Sequence, residues 1–260
     1  MSNQTAETAL RGVDVAGPAA AQPVVFVHGV LFTRKMWTPQ RAALAGDYRV
    51  VVPDLPGHGA LADEEFALER ALRRVDEVVE AAAGGRATVV GLSLGGYVAT
   101  AYARRHPEKV DALVAAGSSA NPVGVLEPLT RAVSAASETV TESRLANQAV
   151  EALARYWVKR RDLDADVKRE ILASGFYPRQ FGNAGFDLAG VDFRSAFGSF
   201  PGPALVLNGQ WDLLNRLGED EHVLAAPDAR LRVIEGAGHV SNLERPAAFV
   251  DAVERFALDR

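Results

Sequence analysis

The hexapeptide "GLSLGG", Gly91 to Gly96, stands between an apolar run "ATVV" (Ala87 to Val90) and the segment "YVATAYARRH" (Tyr97 to His106). A G-x-S-x-G sequence has mechanical content when a strand enters it and a helix leaves it. The glycines allow a sharp turn that holds the serine oxygen up, and the helix start points N–H groups and a positive dipole end at the space beside it. Both flanks meet that condition. Ser93 is therefore either a nucleophile on an elbow or a small residue in a turn that lets backbones pack, and the surrounding chain has to decide.

Working outward, short β-branched runs recur at Val24 to Val27, Arg49 to Pro53, Ala87 to Gly91, Val110 to Gly117, Pro203 to Gly209 and Ala229 to Gly236. Nearly continuous apolar strands imply burial on both faces and a mostly parallel sheet. Helical patterns at Asp63 to Ala83, Gly95 to Arg105, Leu217 to Ala225 and Pro246 to Leu258 alternate with them, an α/β layout. The interval Asn121 to Phe200 carries no strand pattern. Its apolar residues recur at helical spacing, first at Leu126, Leu129, Val133, Ala136 and Val140, then at Ala146, Val150, Leu153 and Trp157, with a third helix over Asp166 to Ala173. We expect a core of residues 1–120 and 201–260 with a helical cap, 121–200, inserted between two strands and covering the sheet edge where Ser93 emerges.

The chain has 260 residues, a net charge of -5, no cysteine and no long basic run. That composition argues against nucleic acid as a partner and removes disulfides and thiolate chemistry. The opening "MSNQTAETALRGVDVAG" lacks the basic start and apolar stretch of a signal peptide, and no apolar run of about 18 residues suggests a membrane span. A cytoplasmic protein is expected. No metal-binding motif is visible, and no metal or cofactor is expected.

A serine hydroxyl needs a base, so the five histidines matter. His28 and His58 lie in the loops "FVHGV" and "DLPGHG", His106 ends a helix, and His222 falls in the charged stretch "GEDEHV". His239, in "EGAGHVSN", follows the last strand, where an open α/β sheet places site residues. Asp212, in "LNGQWDLL", follows the preceding strand and can orient the base. Ser93, Asp212 and His239 thus each follow a strand end, in an order used by one hydrolase architecture. Of the aromatics, Trp37 and Trp157 read as packing residues and Trp211 as a buttress of the acid or pocket lining. Phe176, Tyr177 and Phe181 read as better candidates for pocket wall.

Nearly the whole chain resembles the α/β-hydrolase superfamily, in particular its compact esterase, lactonase and cofactor-free haloperoxidase-like members. The resemblance runs from "VVFVHGVLFTRKMW" through "YRVVVPDLPGHG", "VVGLSLGGYVATAYARRHPEKV" and "ALVLNGQWD" to "EGAGHVSNLERPAAFVDAVERF". It implies that Ser93 is the nucleophile, His239 the base and Asp212 the acid. The backbone N–H groups of Val30 and Leu94 would form the oxyanion hole, with Leu31 as the fallback for the first donor. Asp54 and His58 would only shape a turn. A serine at the elbow argues against the dehalogenating and epoxide-opening relatives, which carry aspartate there. The implied activity is hydrolysis of a small, largely apolar carboxylic ester or lactone. Alternatives are carbon–carbon bond hydrolysis or perhydrolysis by the same triad, or a ligand-binding receptor or scaffold on this fold with little turnover.

Overall fold

A computed structural model describes residues 10–258. The expectation that no leader opens the chain rests largely on residues 1–9, which lie outside the described residues. Seven strands form one sheet in the order β1-β3-β2-β4-β5-β6-β7. They are β1 (Val13–Ala16), β2 (Pro23–Val27), β3 (Arg49–Pro53), β4 (Ala87–Leu92), β5 (Val110–Ala116), β6 (Ala204–Gly209) and β7 (Ala229–Ile234). β1 pairs antiparallel with β3, and every other pairing is parallel.

The helices, in chain order, are α1 (Thr38–Leu44), α2 (Leu68–Ala82), α3 (Leu94–Arg105), α4 (Leu126–Glu142), α5 (Arg144–Lys159) and α6 (Ala165–Ala173). They continue with α7 (Gln180–Leu188), α8 (Phe193–Gly198), α9 (Leu213–Arg216), α10 (Glu219–Ala225), α11 (Ser241–Glu244) and α12 (Pro246–Val253). Alternate residues of the inner strands feed two separate cores. Val25, Val51 and Val89 pack on one face, and Val24, Phe26, Val50 and Val90 on the other. Helices cover both faces, which is why these strands tolerate uninterrupted apolar residues.

Three departures from the sequence-based expectation have local causes. β1 was not anticipated: at four residues on a partly exposed sheet edge it has too little pattern to register. Its Asp14 is tied by ion pairs to Arg34 and Lys35 at 3.0 and 2.7 Å. β7 is also an edge strand, with Arg230, Leu231 and Arg232 exposed, so it is not buried on both faces. Finally, the helix expected from Asp63 begins at Leu68, whose N–H donates to Asp187 Oδ2 of α7 at 2.7 Å. The cap at that terminus comes from a residue distant in sequence, which no local pattern records.

The interval between β5 and β6 is helical, as its spacing predicts, but the apolar stripe of α4 does not dock on the sheet. α4 and α7 approach closely because α7 offers glycine: a Cβ on Gly185 would lie 2.0 Å from Ser134 Oγ. Ser134 is thereby buried at the edge of an open cavity, which Leu126, Leu129 and Val133 of the same helix also line. In α5 the buried residues are Ala154 and Val158, and Leu153, expected inside, is exposed.

Candidate active site

The turn at "GLSLGG" is the sharp turn its glycines suggest. Ser93 has φ 56° and ψ -120°, and it is the non-glycine residue with positive φ among the described residues. Such a conformation is strained and persists because its surroundings impose it. Ser93 N–H donates to the Ala116 carbonyl of β5 at 2.8 Å, and α3 starts at the next residue. The turn also lies tight against β2, since a Cβ on Gly95 would sit 2.1 Å from the Val27 carbonyl oxygen.

The structure brings the three sequence-selected residues together. Ser93 Oγ–H donates to His239 Nε2 at 2.9 Å, and His239 Nδ1–H donates to Asp212 Oδ2 at 2.7 Å. The carboxylate, which can only accept, sets this tautomer. The Asp212 side chain is 6% exposed and that of His239 is 45% exposed, so the carboxylate is sheltered while the imidazole faces open space. Burial raises the Asp212 carboxyl, but hydrogen bonds from His239 and Asn215 more than offset it and hold the group below its ordinary value.

Val30 and Leu94 flank the same cavity as Ser93 and His239. Neither backbone N–H has a hydrogen-bond partner among the described residues. The cavity is about 350 Å³ in volume, and among the described residues no Asp, Glu, Lys or Arg lines it. Its walls include Leu126, Leu129 and Val133 of α4, Ala184 and Leu188 of α7, and Leu214 of α9. Among the anticipated wall aromatics only Phe181 lies there. Phe176 is buried against Phe32 at 5.6 Å in the core, and Trp211 is solvent-exposed away from the lining.

The sequence profile of the alpha/beta hydrolase family matches residues 24–252. The chain belongs to that family. It is an enzyme, with named relatives across the hydrolases. It is 26% identical over 248 residues to 3-oxoadipate enol-lactonase 1 of Acinetobacter baylyi, covering 94% of this chain and 91% of that protein. It is 29% identical over 239 residues to the pimeloyl-[acyl-carrier protein] methyl ester esterase of Aromatoleum aromaticum, covering 86% and 93%. The crystal structure of the enol-lactonase from Burkholderia xenovorans superposes with a TM-score of 0.72 at 26% identity, covering 94% and 95% of the two chains. No helix among the described residues of this α/β hydrolase is long and apolar enough to cross a membrane.

Sequence reasoning passed over several residues that hold this site in place. His58, assigned only to a turn, is fully buried, and its ring lies between two backbone carbonyls, Nε2 2.7 Å from that of Val30 and Nδ1 3.0 Å from that of Pro56. The Leu31 carbonyl accepts from Tyr177 N–H at 3.0 Å, so the loop at Val30 and Leu31 is held from two sides. His28 is buried beside it and accepts Leu55 N–H at Nε2, which places its proton on Nδ1, toward the Gly29 carbonyl. Burial and the neighbouring His58 keep the His28 imidazole neutral to well below the usual histidine range. Glu244 clamps the loop around His239 by accepting Gly238 N–H at 2.9 Å and Val240 N–H at 3.2 Å. Asn215 contacts the Asp212 carboxylate itself. Only the spacings Asp212 to Asn215, at the start of α9, and His239 to Glu244, across α11, carry a local trace of these contacts.

Proposed function

We propose that this enzyme is a serine hydrolase acting on a small, largely apolar carboxylic ester or lactone through an acyl-enzyme on Ser93. The observation that carries the proposal is the continuous chain of hydrogen bonds from Ser93 through His239 to Asp212, opening onto a cavity that no Asp, Glu, Lys or Arg among the described residues lines. Ser93 Oγ attacks the carbonyl carbon while its proton passes to His239 Nε2. The oxyanion accepts hydrogen bonds from the N–H groups of Val30 and Leu94, whose free donors suit that role. Collapse breaks the bond to the leaving oxygen, which takes the proton from His239. Water then attacks the acyl-enzyme, giving a proton to His239, and collapse returns that proton to Ser93 and releases the acid. Asp212, ionised throughout, favours the productive tautomer and the transient imidazolium.

The names of the relatives support this class of substrate, since one is a lactonase and another a methyl ester esterase. The uncharged lining favours acyl groups without a carboxylate, because an anion in this cavity would lose water with no cation to replace it. On this reading residues 121–200 act as a cap on a core of residues 1–120 and 201–260. They form one apolar wall and leave the mouth open beside His239.

The test is a fluorophosphonate followed by peptide mapping. Ser93 should be the residue labelled, and wild type should turn over a short aryl ester. Ser93→Ala should abolish labelling and lower kcat by about 10⁴-fold or more with little change in stability. Wild-type turnover in Ser93→Ala would overturn the assignment.

A further inference from the structure

If Asp212 is the acid of the triad, the reading on which this inference rests, something must fix the plane of its carboxylate. We infer that Asn215 is the positioning residue that does so. It is buried at 4% exposure in α9, three residues after Asp212. Its Nδ2 lies 3.0 Å from Asp212 Oδ1 and 2.9 Å from Oδ2. The direction of the amide is determined by its other end, because Asn215 Oδ1 accepts the Ala120 N–H at 3.0 Å. Turning the group over would set two acceptors against each other and two donors against each other.

The same residue is tethered through its backbone. The Asn215 carbonyl accepts Ser119 Oγ–H at 2.8 Å, and Ser119 Oγ in turn accepts from Asn208 Nδ2 of β6 at 2.9 Å. These bonds tie the start of α9 to the exit of β5, so Asn215 cannot follow the carboxylate if it swings. Oδ2 of Asp212 is shared between His239 and Asn215, whereas Oδ1 has the Asn215 side chain as its side-chain donor. Without that donor the buried carboxylate could rotate about its final bond and carry the His239 ring with it.

Two consequences follow for the chemistry. Misorientation of Asp212 lowers the fraction of His239 presented to Ser93, which lowers kcat, while the apolar walls of α4 and α7 stay intact although Asn215 itself also lines the cavity. Loss of the donor also leaves the Asp212 charge less stabilised. That charge then either takes a proton at higher pH or pairs more strongly with the imidazolium. Both changes move the acid limb of kcat/KM to higher pH.

The experiment compares wild type with Asn215→Leu, which keeps the branched shape but removes the donor, and with Asn215→Ala. kcat is expressed per active site titrated by the phosphonate, so misfolded protein does not count. A buried hydrogen bond to a charged group is worth enough to predict about a 10- to 100-fold fall in kcat, with KM within about twofold of wild type. The acid limb should also move up in pH. Asn215→Ala carries the same test should Asn215→Leu fold poorly. A residue that only supports the fold would give fewer titratable sites and a lower Tm, with kcat per site and the acid limb at wild-type values. That outcome overturns the assignment of Asn215. Failure of wild type itself to label at Ser93 would overturn the triad reading, and this inference with it.

Discussion

Facing each other across the cavity are a polar cluster at the ends of β4, β6 and β7 and the apolar sides of α4 and α7, and the two are held in different ways. Ser93, His239, Asp212 and Asn215 are linked by hydrogen bonds of 2.7 to 3.0 Å on loops that leave adjacent or near-adjacent parallel strands. The opposite wall has no comparable network at its surface. Leu129 and Val133 are 56% and 60% exposed, and α4 is held by its close approach to α7 beside it in the same wall. Directional bonds hold atoms to fractions of an ångström, which proton transfer requires, whereas an apolar wall only has to exclude water and fill space. The difference teaches that rate and selectivity should respond to changes on opposite sides of the cavity.

The largest effect should come from the polar side. Asp212→Asn keeps the volume but removes the charge, and the amide can present a donor to His239 in place of an acceptor. By analogy with a comparable triad, kcat should fall by about 10⁴-fold, with KM little changed. Steady-state kinetics on a short aryl ester checks this. A near-normal kcat would break the contrast by showing that the strand-end network does not control rate.

A second effect, of intermediate size, concerns the seam where the helical interval returns to the sheet. His222 of α10 is buried edge-on to Phe197 of α8, with ring centroids 5.8 Å apart, and its Nε2 has no hydrogen-bond partner among the described residues. Burial pushes this imidazole down to about 4 from 6.5. Its folded value is depressed, so between these pH values the unfolded chain binds the proton and the native chain does not. Stability should therefore fall as pH drops from about 6.5 to about 4, by up to roughly 3 kcal/mol from this group, and change no further through it below that window. Urea unfolding across this range should show the fall, and His222→Leu should flatten it. An unaltered slope in His222→Leu would place the acid sensitivity elsewhere, with buried His28 and His58 the next groups to test.

The smallest effects belong to the apolar wall. In a series of aryl esters, kcat/KM should rise by up to about fourfold per acyl methylene until the cavity is full, and then fall. Leu129→Ser and Val133→Ser should each flatten the rise by a few-fold while leaving acetyl ester hydrolysis unchanged, because the polar cluster is untouched. Equal losses on short and long esters would mean that the two walls do not divide the work in this way.

The residues that bond directly to one another were legible in the chain because each follows a strand whose apolar run marks it. Ser93 adds an elbow that needs glycine, and Asp212 and His239 follow the last two strands. Their positioning partners were not legible. Asn215, Glu244, His58 and Tyr177 act through contacts whose geometry depends on how loops are brought together, and an asparagine or glutamate at a helix end has an ordinary capping role available to it. The aromatic residues misled for a related reason: Phe176 and Phe181 lie five residues apart in one return segment, yet one fills the core and the other faces the cavity.

By itself the sequence determined the α/β alternation, the inner strands and the identity of the three residues now joined by hydrogen bonds. Those properties follow from local composition, from the constraints of a tight turn and from the rule that parallel strands gather their loops at one edge. Tertiary structure alone decided which face of α4 meets the cavity, where α2 begins and which side chains hold Asp212 and the loop at Val30. Each of these depends on contacts between residues far apart in the chain. Apolar periodicity specifies that a helix face prefers to leave water, but not whether a neighbouring helix, the sheet or a substrate will cover it.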